Sequence, residues 1–155
     1  MHTIDLSRTV AIVTGGSSGI GLATAELLLA HGAAVAICGR DTERLHRAEA
    51  GLRERVAGAR LHAAPCNVLD AAEVQRFAAD CERALGPASV LVNNAGQGRV
   101  STFADTTDAA WTEELQLKFF SVIHPTRAFL PQLQRSADAA IVCVNSLLAA
   151  QPEPH

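Results

Sequence analysis

The sequence has 155 residues and contains no tyrosine, and its only lysine is Lys118. Without a phenol, no tyrosine can act as general acid or base within this stretch. The cysteines Cys38, Cys66, Cys81 and Cys143 show no CxxC spacing, which argues against a metal or redox motif and for reduced, buried thiols. His2, His31, His46, His62, His124 and His155 have no ligand spacing either, so no metal is expected. No apolar run approaches the length of a bilayer span. The opening MHTIDLSRTV carries no basic region followed by an apolar run and a cleavage site, so a cytoplasmic protein is expected. Charge of one sign is scarce: 13 basic and 16 acidic residues are interspersed and give a net charge of −3. That excludes the basic footprint needed to hold nucleic acid or an anionic membrane surface. No internal repeat or low-complexity segment is visible.

What the chain does have is apolar residues in short, regular runs. At 48% hydrophobic and 19% charged, it has the means to bury a single α/β core. Arg8–Thr14 is an apolar run stopped by glycines, which predicts a buried strand. A helix is predicted from Ser18 to His31, with Ile20, Ala23, Leu27 and Leu28 on its inner face and Gly32 as its stop. Ala33–Cys38 is a second strand. Asp41 caps a helix reaching about Ala57, and Arg60–Ala64 is a weaker third strand. Asp70 with Glu73 resembles a capping box and opens a helix carrying Val74, Phe77 and Cys81, which ends at Gly86-Pro87. Ser89–Val92 is a fourth strand, followed by a polar loop, Asn93–Thr107. A long helix from about Asp108 to Arg135 should be disturbed at Pro125, which lacks an N–H donor. Ala139–Val144 is a fifth strand, and the tail QPEPH reads as loop. Strands apolar on both faces that alternate with helices predict one α/β domain, a doubly wound parallel sheet of Rossmann type in the order 3-2-1-4-5. Its fifth strand should lie at an edge and expose apolar surface.

The chemistry concentrates in Thr14-Gly15-Gly16-Ser17-Ser18-Gly19-Ile20-Gly21, between the first strand and first helix. A diphosphate must approach backbone N–H groups at a helix N-terminus, where free donors and the dipole favour negative charge. A Cβ at Gly15 or Gly19 is expected to obstruct the turn or that approach, and Gly21 to let the helix pack closely on the strand. Ser17 and Ser18 add hydroxyl donors.

The spacing of these glycines resembles the TGxxxGIG motif of the short-chain dehydrogenase/reductase family. Asn93-Asn94-Ala95-Gly96 resembles the family's NNAG motif, Trp111 opens the long helix in a family-like way, and Ala140–Leu148 is similar to the strand that delivers the family's serine. The resemblance implies that Gly15, Ser17, Ser18, Gly19, Ile20 and Gly21 cradle a dinucleotide. It also implies that Asn67 and Val68 border the adenine, and that Asn94, Ala95 and Gly96 line the ribose and nicotinamide side. Asn67 stands where the family often has aspartate, and its side-chain carbonyl can still accept from the adenine amine.

A carboxylate at the end of the second strand selects NAD by bonding the ribose 2′-OH. This chain has Cys38-Gly39-Arg40 there: no acid at Gly39, and in Arg40 a guanidinium suited to a 2′-phosphate. NADP is therefore the expected cofactor, with NAD the alternative.

The resemblance also implies hydride transfer between nicotinamide and a small carbonyl or alcohol substrate. Ser146 matches the serine that bonds the substrate oxygen. The family's helix asparagine falls on Lys118, which shares a helical stripe with Trp111, Leu115 and Val122 and should point toward the site. A lysine cannot accept a hydrogen bond; it either positions an anionic group or snorkels along apolar surface. The family's Tyr-x-x-x-Lys would begin about a dozen residues past Ser146, beyond His155. Three readings follow: the N-terminal portion of a longer oxidoreductase, expected to form a homo-oligomer through the long helix; a non-catalytic dinucleotide-binding or regulatory form of the same scaffold; or an interaction partner or folding remnant whose exposed edge drives association.

Overall fold

The computed structural model describes residues 4–97 and 102–146. The tail 151–155, His2 and His155 lie outside the described residues. Strands β1 (Val10–Thr14), β2 (Ala34–Gly39), β3 (Leu61–Pro65), β4 (Val90–Asn93) and β5 (Ala140–Cys143) alternate with helices α1 (Gly19–Ala30), α2 (Thr42–Arg55), α3 (Ala71–Leu85) and α4 (Asp108–Leu133). The sheet is parallel and runs β3-β2-β1-β4-β5. This is the expected order, and the element boundaries fall within two residues of those read from the sequence.

Alternation along the strands sends side chains to two separate cores. Ala11, Val13, Val35 and Ile37 pack with Ala25, Leu29, Leu45 and Leu52 under α1 and α2. Ile12, Ala36 and Leu91 face the other way and meet Val74, Phe77, Phe129 and Leu133 under α3 and α4. Phe77 and Phe129 meet edge to face, with ring centroids 6.0 Å apart. Burying each such large side chain contributes about 1.5–3 kcal/mol, so Phe129→Ala would cost about 3–5 kcal/mol.

Helix α1 corrects the inner face read from its sequence. Ile20 and Leu27 are exposed, and the buried residues are Gly21, Ala25 and Leu29. The helix is apolar nearly all round, so periodicity could not choose a face. The sheet took the small residues, which permit close approach. Helix α4 continues through Pro125 and Pro131 instead of breaking. Pro125 is buried, and its packing compensates for the donor missing from that turn.

The capping box at α3 is also rewired. Asp70 accepts from the amides of Ala72 (2.8 Å) and Glu73 (3.0 Å) as expected, but the Glu73 carboxylate accepts from the Asn67 amide at 2.7 Å. The two acids thereby pin the β3–α3 loop, which borders the site described below. Strand β5 lies at the sheet edge with all four residues exposed, including Ile141 and Val142.

Candidate functional site

At the C-terminal ends of the strands, β1 feeds a tight turn into α1. Gly15 and Gly19 hold φ of +66° and +55°, which L side chains rarely adopt. Ser18 is the N-cap of α1 but makes no side-chain capping bond, so the first amides of the helix are not taken up by it. Gly19 was expected to be needed for space. An added Cβ would meet nothing within 4 Å there, so its requirement is the backbone angle and the room it leaves for a ligand. The crowded positions are others. A Cβ on Gly15 would lie 2.9 Å from Ala95 Cα, one on Gly16 would lie 2.6 Å from Ile37 Cγ2, and one on Gly21 would overlap Asn94 Nδ2 and the Gly15 carbonyl oxygen.

Thr14 and Asn94 lock this turn to the end of β4. The Thr14 hydroxyl oxygen accepts from the amides of Asn94 and Ala95, each at 3.0 Å. The Asn94 side-chain amide donates to the carbonyls of Thr14 (3.0 Å) and Gly15 (3.2 Å). Asn94 thus spends its donors holding the turn. Asn93 is buried, and its amide reaches Thr126 Oγ1 at 3.1 Å. The sequence reading placed Thr14 and Gly16 in the motif but gave neither a role of its own.

A cavity of about 790 Å³ opens over these elements, within the size range of small-molecule and cofactor sites. Every residue singled out as a binding or catalytic candidate, Gly21 excepted, lines it: Gly15, Ser17, Ser18, Gly19, Ile20, Arg40, Asn67, Val68, Asn94, Ala95, Gly96, Lys118 and Ser146. Gly21 lies beneath the turn and acts through its lack of a side chain.

The β2 end of the cavity carries Arg40, which has no ion pair or hydrogen bond among the described residues. Beside it, a Cβ on Gly39 would come within 2.9 Å of Ser17 Oγ, so any acid at that position would displace the serine. Asp41 and Arg44 also line the wall, although sequence reading assigned Asp41 only to capping and Arg44 to nothing. The Arg44 amide and guanidinium on Asp41 help to hold its carboxyl below the usual range. At the β3 end, the Asn67 side-chain oxygen accepts from the Leu69 amide at 3.2 Å, so one of its lone pairs is already engaged. A ring nitrogen of His124, on α4, lies 3.1 Å from the Val68 carbonyl and braces that loop from behind. Cys38, Cys66 and Cys81 are buried, as expected, whereas Cys143 on the edge strand is exposed. The neighbouring Cys66 thiol, with burial second, pushes the Cys38 thiol up.

At the β4–β5 end stand Lys118 and Ser146. Lys118 Nζ donates to the Gln97 carbonyl at 3.0 Å, tying α4 to the segment after β4. The stripe expected to carry it inward is open: Trp111 and Leu115 are 42% and 53% exposed, so only the end of the lysine side chain is drawn to the cavity. The group this arrangement calls for is an extended dinucleotide, and the residues fit it. The turn offers helix amides beside an open glycine, Arg40 supplies a cation without a partner among the described residues, and the wall continues to a hydroxyl and an ammonium.

The family model for short chain dehydrogenase matches residues 9–155. The chain belongs to the short-chain dehydrogenase family. Among curated relatives, an uncharacterised oxidoreductase, DltE, of Bacillus subtilis is 34% identical over 151 residues, which are 96% of this chain and 58% of that protein. A putative ketoacyl reductase of granaticin polyketide synthase from Streptomyces violaceoruber is 36% identical over 80% of this chain and 45% of its own length. The chain therefore spans about half the length of the curated relatives it matches. Among solved structures, an NADPH-bound short chain oxidoreductase of Pseudomonas aeruginosa PAO1, described as containing an atypical catalytic center, is 75% identical. It superimposes with a TM-score of 0.95 over 97% of this chain and 59% of its own. A short chain dehydrogenase/reductase of Burkholderia phymatum in complex with NAD is 30% identical, with a TM-score of 0.87 over 99% of this chain and 54% of its own. Solved members of the family with either nicotinamide cofactor thus share this fold. Among the described residues no helix is long and apolar enough to cross a membrane.

Proposed function

We propose that residues 1–155 form one dinucleotide-binding domain of an NADP(H)-dependent oxidoreductase that acts on a carbonyl or alcohol. The observation that carries this reading is the cavity itself, with helix amides in its middle, unpartnered Arg40 at one end, and Ser146 with Lys118 at the other. In this reading the amides at the start of α1 bind the diphosphate, and the Ser17 and Ser18 hydroxyls donate to it. Arg40 binds a 2′-phosphate in a charge-assisted pair. Asn67 and Val68 border the adenine, while Ala95 and Gly96 pass close along the ribose. When bound, the nicotinamide supplies or accepts the hydride.

Ser146 donates to the substrate oxygen and orients it. Lys118 stands where the family carries an asparagine, and its ammonium holds negative charge near that oxygen instead of accepting a proton-relay bond. The 75% identity to a protein described as having an atypical catalytic center supports placing this chain's departure from the family pattern at Lys118. We further propose a cytoplasmic setting, in keeping with four free cysteines, and a homo-oligomer built on exposed apolar residues of α4 such as Leu115 and Phe119.

Calorimetric titration of the full chain with NADPH and NADH tests the cofactor reading. NADPH is expected to bind more tightly, and Arg40→Ala is expected to cut the preference by roughly tenfold or more, the scale of a lost charge-assisted bond. Equal affinities in the unmutated chain would refute it. Lys118→Asn should change turnover of an active, longer form while leaving NADPH affinity unaltered; an unchanged turnover would remove Lys118 from the reaction.

A further inference from the structure

The wall of the cavity beside β2 holds three charged side chains within five residues: Arg40, Asp41 and Arg44. Their signs conflict. A carboxylate on this wall is the group that favours a free ribose hydroxyl and repels a 2′-phosphate, and Asp41 follows directly after the arginine suited to that phosphate. The structure shows how the conflict is contained. One Asp41 oxygen accepts from the Arg44 amide at 2.9 Å, and the other accepts from the Arg44 guanidinium at 3.0 Å. Both carboxylate oxygens are thus turned onto the first turn of α2, with a cation held against them. Arg40 keeps no such partner.

We propose that the Asp41–Arg44 pair is a second determinant of cofactor choice, in which Arg44 masks the Asp41 carboxylate so that Arg40 meets a 2′-phosphate unopposed. This rests on the NADP reading above and adds to it a residue that acts through another. Arg44 is a positioning and charge-masking residue. The pair is half exposed, with side chains 53% and 45% accessible, so it adds little to the stability of the fold. Its effect lies in where the carboxylate is held: with both oxygens bonded to Arg44, Asp41 is kept on α2, and without the guanidinium it is free to compete with a 2′-phosphate for Arg40.

A double-mutant cycle on the full chain tests this, with 2′,5′-ADP and 5′-ADP as calorimetric probes and thermal melting as the check on folding. Arg44→Gln is expected to weaken 2′,5′-ADP roughly fivefold while moving 5′-ADP by less than about twofold, the scale of one released carboxylate competing for Arg40 at a screened surface. In an Asp41→Ser background, where the serine still caps α2 without charge, the same Arg44→Gln change is expected to have little effect on either probe. Asp41→Asn serves as a second capping background. An equal loss of 2′,5′-ADP affinity in all backgrounds would mean that Arg44 acts on the phosphate by its own charge or by contact, and would overturn the masking. No loss in the unmutated background would overturn it as well. Absence of any preference for 2′,5′-ADP in the unmutated chain, with no response to Arg40→Ala, would sink the NADP reading, and the masking with it. A preference that responds to Arg40 but not to Arg44 would sink the masking alone.

Discussion

Gly21→Ala should be the most damaging single-methyl change in the turn. The added Cβ would overlap Asn94 Nδ2 on one side and the Gly15 carbonyl oxygen on the other. Moving Asn94 away breaks its bonds to the carbonyls of Thr14 and Gly15, each worth about 1 kcal/mol. Overpacking adds about 1–3 kcal/mol, because Gly15 lies on the main chain and cannot rotate clear. The sum is about 3–5 kcal/mol, a large fraction of the roughly 5–15 kcal/mol that holds a domain folded. With a urea dependence of about 2 kcal/mol per molar, the unfolding midpoint should fall by about 2 M. Gly19→Ala provides the internal control: its Cβ enters open space, and only its φ of +55° is penalised, by about 1–2 kcal/mol. Urea unfolding followed by circular dichroism measures both. A Gly21→Ala loss under about 1 kcal/mol, or one smaller than that of Gly19→Ala, would refute the close-approach account.

Three further changes test other parts of the structure. Gln132 is buried in α4, where its oxygen accepts from the Ala88 amide and its amide donates to the Ala78 carbonyl, each at 3.0 Å. Gln132→Leu should cost about 2–4 kcal/mol by stranding both buried groups, and a chemical-denaturation midpoint equal to the parent would contradict this. Asp70 is held below the usual carboxylate range chiefly by the Glu73 amide, aided by that of Ala72. A folded-state value below the unfolded one means stability that is present above the ordinary carboxylate range and is lost as pH falls through the folded value. Asp70→Asn keeps the cap without the titration, so its acid-unfolding curve should be flatter below about pH 4; a curve parallel to the parent's would exclude this contribution. Finally, Gly19→Val should abolish NADPH binding by filling the open side of the turn, and retained affinity would remove the phosphate cradle.

The fold was legible because the buried strands announce themselves. RTVAIVT, AAVAIC and AAIVCV are apolar without alternation, and the glycines and prolines between elements mark where each ends. The glycine turn between β1 and α1 was legible for a related reason, since positive φ and close approach leave glycines behind. The inner face of α1 was not legible. Ile20 and Leu27 face outward while Gly21 and Ala25 pack on the sheet, and an all-apolar helix gives periodicity nothing to work on. Long-range polar links were equally hidden. The bond of Glu73 to the Asn67 amide, of His124 to the Val68 carbonyl and of Lys118 to the Gln97 carbonyl join residues that only the fold brings together. Gly39 shows the difference most clearly: the sequence displays the missing acid, but only the 2.9 Å approach of Ser17 Oγ shows what an acid would displace.

The two ends of the cavity differ in how they are made rigid, and this sets where substitutions can change function without unfolding the chain. The glycine-turn end is backbone: its geometry depends on Gly15, Gly19, Gly21 and the Thr14–Asn94 lock, all joined to the most deeply buried strands. Changes there alter binding and stability together. The β2 wall and the β4–β5 end are built from exposed side chains: Arg40 and Asp41 before α2, Arg44 in its first turn, and Lys118 within α4. Such positions carry little packing energy, so exchanging their charges can retune cofactor or substrate selection at a cost of about 1 kcal/mol or less in stability. Cofactor choice in this chain should therefore be separable by mutation from nucleotide binding itself. An Arg40→Ala chain that loses all affinity for both NADPH and NADH would show that the two are not separable.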